Sequence, residues 1–142
     1  QPDQEEKYGY RFVDFDTLLE QSDIFTVHCP LNEETRGMIG FEQFKKMKPS
    51  AMLINTARGP IVDEAAMIDA LTTGKIATAG LDTYEHEPLP KDHPLLKLDN
   101  AELHFGNEET GTNIVARDFY SLKQTYSAAA IWRTTSSAPT SP

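Results

Sequence analysis

The chain has 142 residues, 39% of them apolar and 9% aromatic, and a formal net charge of −9. That length suits one domain with a core of its own. The acidic balance argues against nucleic acid or an anionic membrane as a general partner, and makes any local positive charge more notable.

The polar run Q-P-D-Q-E-E-K that opens at Gln1 reads as a partial sequence rather than a natural start. Residues 11–13 predict a short strand. Asp16 is placed to cap a helix carrying Leu18 and Leu19, stopped by Ser22-Asp23. Residues 24–28 predict a strand, broken by Cys29-Pro30. Cys29 is the single cysteine, which excludes an intrachain disulfide and points to a reducing, cytoplasmic compartment. Residues 32–36 form a polar loop, and apolar positions 41, 44 and 47 predict a short amphipathic helix. Residues 51–54 predict a buried strand.

Asp63 caps the next helix, with Ala66, Met67, Ala70 and Leu71 on one face and Gly74 as its left-handed stop. Residues 76–81 predict a strand ending at Asp82. A proline-rich loop spans 85–94, and residues 101–105 predict a last strand. Residues 113–132 read as a longer helix, and the Ser/Thr/Pro-rich tail 134–142 as disordered. No stretch approaches the ~20 apolar residues that span a bilayer, and no signal peptide or metal site is assigned. Alternating strands and helices imply right-handed crossovers and a parallel sheet, half of a doubly wound α/β fold over residues 1–133.

Three strand ends carry functional candidates: His28-Cys29-Pro30-Leu31, Thr56-Ala57-Arg58-Gly59, and Gly80-Leu81-Asp82 followed by Glu85-His86-Glu87-Pro88. In an open α/β sheet, ligands sit beyond the carboxyl ends of the strands. An arginine there can hold a carboxylate by two parallel hydrogen bonds. An arginine after an isolated strand is more often plain surface, and a lone Glu-Pro more often plain loop. Convergence of three such ends on one edge raises the odds for each. Glu87 is a natural partner for a catalytic histidine, because a carboxylate fixes the imidazole tautomer and raises its basicity. Of His28, His86, His93 and His104, only His104 lies at a strand end beyond Glu87.

These stretches resemble the NAD(P)-binding domain of the D-isomer-specific 2-hydroxyacid dehydrogenases, of the glyoxylate/hydroxypyruvate reductase and phosphoglycerate dehydrogenase types. The resemblance is carried by S-D-I-F-T-V-H-C-P-L-N-E-E-T-R-G-M-I, M-K-P-S-A-M-L-I-N-T-A-R-G-P-I-V-D-E, A-L-T-T-G-K-I-A-T-A-G-L-D-T-Y-E-H-E-P-L-P and H-P-L-L-K-L-D-N, over residues 22–100. It implies a Rossmann-like domain lacking its first βαβ unit and reversible hydride transfer between NAD or NADP and a small 2-oxo acid. It implies that Arg58 binds the 2-oxo acid and that Glu87 pairs with the catalytic histidine. It further implies that Cys29, Pro30, Thr35, Thr56, Ala57, Arg58 and Asp82 contact the cofactor, with Asp82 on the carboxamide.

Two departures stand beside the resemblance. The Gly-x-Gly-x-x-Gly turn that cradles a pyrophosphate is absent from these residues. The family's Pro-His-x-Gly is replaced by N-A-E-L-H-F-G-N-E-E-T, so His104 aligns as the histidine only with a two-residue gap. Two readings follow. One is a fragment or shortened form of a working dehydrogenase. The other is a catalytically impaired domain that acts by packing, as a homo-oligomer or against a partner, through the sheet face its missing strands would expose.

Overall fold

The computed structural model describes residue 7, residues 9–105, and the backbone of two short strands further on, at 114–115 and 129–132; side chains from residue 104 onward lie outside the description. The predicted tail at 134–142 also lies outside the described residues.

Helix α1 spans Phe15–Gln21. Its cap is Asp14, two residues earlier than the expected Asp16. Asp14 Oδ1 accepts the Thr17 N–H at 2.9 Å and its Oδ2 accepts the Thr17 hydroxyl at 2.8 Å. Asp16 instead lies within the first turn, where a carboxylate favours the helix dipole, and pairs with Lys46. The strand expected at 11–13 is not formed: these residues belong to no regular element. Phe12 is 58% exposed and meets Tyr10 edge-on.

Strand β1 is Ile24–Val27, α2 is Phe41–Lys46, β2 is Met52–Asn55, α3 is Glu64–Thr72, β3 is Thr78–Leu81 and β4 is Ala101–Phe105. Short 3₁₀ turns occupy Gly59–Ile61 and Pro94–Lys97. As expected, Asp63 caps α3 by accepting the Ala66 N–H, and Gly74 follows with φ 70°. Ala66, Met67, Ala70 and Leu71 are its buried face. The three helices pack side by side, α1 on α2 and α2 on α3.

Strands β1 to β4 are parallel and adjacent in chain order, so the fold is α/β and Rossmann-like. Their apolar runs lack alternation because they are covered: Phe25, Val27, Leu53, Ala79 and Leu81 are buried in the central cluster with Ile39, Phe44 and Ile61. Burying one such Leu, Ile or Phe side chain contributes about 1.5–3 kcal/mol.

The helix expected over 113–132 is not present where the chain is described. Ile114–Val115 forms β5, antiparallel to β4, and Ala129–Trp132 forms β6, parallel to β1. The sheet order is β5-β4-β3-β2-β1-β6. The open edge of β1 presents unpaired backbone groups, and satisfying them outweighs local helix propensity. That edge, left exposed in the sequence-based reading, is therefore covered by β6. Among the described residues no helix is long and apolar enough to cross a membrane.

Candidate functional site

Asn55 lies level with Val27 of β1 on one side and Leu81 of β3 on the other. The residues that follow these positions therefore leave the sheet at one edge, its carboxyl edge. Cys29-Pro30, Thr56-Ala57-Arg58 and Asp82 converge there, as expected from their spacing. β4 extends the same edge: Leu103 is level with Leu81, so the backbone of His104 is level with that of Asp82. The side chain of His104, and Gly106 after it, lie outside the described residues.

The Arg58 loop is built from its strand end. Asn55 Oδ1 accepts the Ala57 N–H at 3.1 Å, and Asn55 Nδ2 donates to the Arg58 carbonyl at 2.9 Å. The Asn55 carbonyl accepts the Asp82 N–H at 3.0 Å. Thr56 and Arg58 are exposed, and Ala57 is half-buried. Arg58 Nη1 donates to the Ala57 carbonyl at 2.7 Å, which folds the guanidinium back over its own loop. Among the described residues no carboxylate forms an ion pair with it. The residue is exposed, so an anion could take its remaining donors.

Gly59 sets the spacing of the next loop. A Cβ at this position would fall 2.0 Å from the carbonyl carbon and oxygen of Tyr84. The backbone after Asp82 therefore lies directly on the Arg58 loop. Tyr84 is buried and its hydroxyl donates to the Leu81 carbonyl at 3.3 Å. Glu87 Oε1 accepts the Tyr84 N–H at 3.0 Å. One carboxylate oxygen of Glu87 is thereby held by the backbone, and the residue as a whole is exposed.

The Cys29-Pro30 loop is tied to the same unit. The Thr35 hydroxyl accepts the Asn32 N–H at 2.9 Å and donates to the Pro30 carbonyl at 2.7 Å. Asn32 Oδ1 accepts the N–H groups of Glu34 and Thr35. Gly37 N–H donates to the Pro60 carbonyl, Ile39 N–H to the Ile61 carbonyl and Asp63 N–H to the Ile39 carbonyl. Thr35 is buried and closes its loop, so its hydroxyl has a structural role whatever else it touches. Cys29 is also buried, and burial pushes its thiol above the ordinary cysteine range. It presents a neutral, apolar wall rather than a nucleophile.

The remaining histidines are accounted for separately. His28 Nε2 sits 2.8 Å from the Thr26 hydroxyl, and His86 is exposed. His93 Nδ1 accepts the Leu95 N–H, so its proton resides on Nε2, which donates to Glu64 Oε1 at 2.9 Å. Both side chains of that pair are only 14% exposed. Among the described residues no three His, Cys, Asp or Glu side chains gather to hold a metal.

Sequence reasoning did not single out Asn55, and it named Gly59 in a candidate strand end without giving it a role, although both build the site. The signals were present. An asparagine ending an apolar run favours a turn onto its own side chain. A glycine after an exposed arginine marks a close backbone approach.

The model of the D-isomer specific 2-hydroxyacid dehydrogenase NAD binding domain matches residues 1–104. The match stops at His104, where the sequence leaves the family's Pro-His-x-Gly pattern. The chain is 53% identical over 116 residues to glyoxylate/hydroxypyruvate reductase B of Cronobacter sakazakii, covering 79% of this chain and 36% of that protein. It is 56% identical over 96 residues to D-3-phosphoglycerate dehydrogenase of Archaeoglobus fulgidus, covering 68% of this chain and 18% of that protein. The chain thus spans well under half the length of these curated relatives. Its fold matches the NAD-complexed D-isomer specific 2-hydroxyacid dehydrogenase of Lactobacillus delbrueckii ssp. bulgaricus with a TM-score of 0.64 at 42% identity, over 72% of this chain and 35% of that one. By sequence, fold and the layout of its carboxyl edge, the chain belongs to the D-isomer specific 2-hydroxyacid dehydrogenase family, through that family's NAD-binding domain.

Proposed function

We propose that this chain forms the nicotinamide side of an NAD- or NADP-dependent reductase acting on a small 2-oxo acid such as glyoxylate or hydroxypyruvate. The observation that carries this reading is the placement of Arg58. It is an exposed guanidinium with no ion pair among the described residues, on a loop pinned by Asn55, at the edge where doubly wound sheets bind dinucleotides.

In this reading Arg58 grips the substrate carboxylate and polarises the neighbouring carbonyl. Glu87 orients and raises the basicity of a histidine that protonates the new hydroxyl, and His104 is the candidate. Cys29, Pro30, Thr56 and Ala57 line the nicotinamide, Thr35 shapes that wall through its own loop, and Asp82 holds the carboxamide. The cofactor, when bound, supplies the hydride. The hydroxyl of Thr83, next to Asp82, is buried without a hydrogen-bond partner, a polar deficit where a carboxamide would bring donors and acceptors. These residues fit the nicotinamide end. No Gly-x-Gly-x-x-Gly is present to cradle the pyrophosphate, so cofactor binding by this chain alone is weak. The lone buried cysteine agrees with a cytoplasmic setting.

The test is oxidation of NADH and NADPH with glyoxylate and hydroxypyruvate, beside direct titration with NADH. The expected result is slow turnover that disappears in Arg58→Ala. Turnover equal in both proteins would overturn the assignment of Arg58. Absence of both turnover and NADH binding would favour a non-catalytic packing domain, a reading that the enzymes named among its relatives do not favour.

A further inference from the structure

Asn55 is the most deeply buried polar side chain among the described residues, at 1% exposure. Its register partners on both sides are apolar, Val27 and Leu81. The sheet itself therefore asks only for an apolar residue at this position, and a buried amide is costly unless both its ends are bonded. Both ends are bonded, and both to one loop: Oδ1 to the Ala57 N–H and Nδ2 to the Arg58 carbonyl. The Asn55 carbonyl also takes the Asp82 N–H. One residue thus ties the loop of Arg58 and the start of the Asp82 loop to the same point of the sheet.

We infer that Asn55 is a positioning residue, one that sets the path of the Thr56-Ala57-Arg58 loop, and with it the aim of the guanidinium, without touching any ligand itself. The inference rests on the anion-binding role given to Arg58 above. The chemistry is specific to an asparagine. Aspartate keeps the acceptor for Ala57 but loses the donor to the Arg58 carbonyl. Alanine loses both, and leaves the Ala57 N–H and the Arg58 carbonyl without these partners.

The test compares the full chain with its Asn55→Ala, Asn55→Asp and Arg58→Ala variants. Two readouts are used: amide hydrogen exchange at Ala57, and titration with oxalate as a planar carboxylate probe. In Asn55→Ala the Ala57 amide exchanges about tenfold faster or more, and oxalate affinity falls about tenfold. In Arg58→Ala oxalate binding is lost while the Ala57 amide stays protected. Asn55→Asp keeps the Ala57 protection and recovers part of the oxalate affinity, a graded rescue that a purely structural role would not give. Wild-type oxalate affinity in a folded Asn55→Ala overturns the inference. If that variant does not fold, wild-type affinity in Asn55→Asp overturns it instead. Failure of the unaltered chain to bind oxalate would remove the function proposed for Arg58. The exchange data would then decide the inference alone, and unchanged protection of Ala57 in Asn55→Ala would sink it.

Discussion

Gly59 and Tyr84 are in backbone contact: a Cβ on Gly59 would sit 2.0 Å from the Tyr84 carbonyl and 2.5 Å from the Glu85 nitrogen. This contact joins the loop that presents Arg58 to the loop that presents Glu87. The obstacle is backbone, which has no rotamer by which to retreat. Gly59→Ala must therefore separate the two loops, at a cost of roughly 1–3 kcal/mol. Urea denaturation would measure the loss, and a folded variant should bind oxalate more weakly. An unchanged midpoint would show that the loops are less tightly joined than the contact implies.

Arg58 is exposed and its own bond is to the adjacent carbonyl. Arg58→Ala should leave stability within about 0.5 kcal/mol, as for surface positions generally. Oxalate binding and turnover should be lost. Lysine should restore little of either, because a point charge cannot make the paired contact of a guanidinium. Thermal melts alongside titration separate the two effects.

The His93–Glu64 hydrogen bond ties the proline-rich loop to the first turn of α3. Removing the imidazole leaves a largely buried carboxylate without its donor. His93→Ala is expected to destabilise the chain by roughly 1–3 kcal/mol. His93→Gln, which retains a donor, should recover part of that. Equal midpoints for the wild type and both variants in urea would show that the pair contributes nothing.

Burial raises the Cys29 pKa. The folded state therefore favours the neutral thiol. The associated stability is complete below the unfolded thiol value, about 8.5, and is lost as pH rises through the higher folded value. A disulfide reagent near pH 8 should label Cys29 slowly in the native chain and rapidly in urea. In Cys29→Ala the fall in stability at alkaline pH should be smaller. Rapid native labelling would contradict the buried placement.

His104 is the candidate proton donor, and its backbone reaches the same sheet edge as Asp82. If it serves, His104→Asn should lower whatever turnover the chain shows by about 10²- to 10⁴-fold. Glu87→Gln should lower it less, since the role proposed for Glu87 is exerted through the histidine. Turnover preserved in His104→Asn would exclude His104 from the chemistry.

Much of the framework was legible in the sequence because it rests on local chemistry. Asp63 announces α3 by its capping carboxylate, and Gly74 ends it through a left-handed backbone. The run Ala-Met-Leu-Ile reads as a buried strand, one residue ahead of the observed Met52–Asn55, because a covered parallel strand needs no polar face. One misplacement has an equally local cause, and two are set by strand pairing. Asp14 and Asp16 are both competent caps, and the Thr17 hydroxyl, bonded to Asp14, tips the choice. Residues 11–13 have strand propensity but no partner strand. Residues 129–132 read as the end of a helix in sequence but pair with the edge of β1 in space.

The sequence by itself determined the family, the strand and helix order from residue 15 to 105, and the residue types available for chemistry. These follow from periodicity, capping and ordered motifs, which act over a few residues. Only the tertiary structure decided which of those residues meet. Parallel register brings Cys29, Arg58 and Asp82 to one edge, and Asn55 and Gly59 lock the Arg58 and Asp82 loops together. Those contacts join positions about 25 residues apart in the chain. Their strength depends on burial and on backbone geometry, and neither is encoded in any single stretch of sequence.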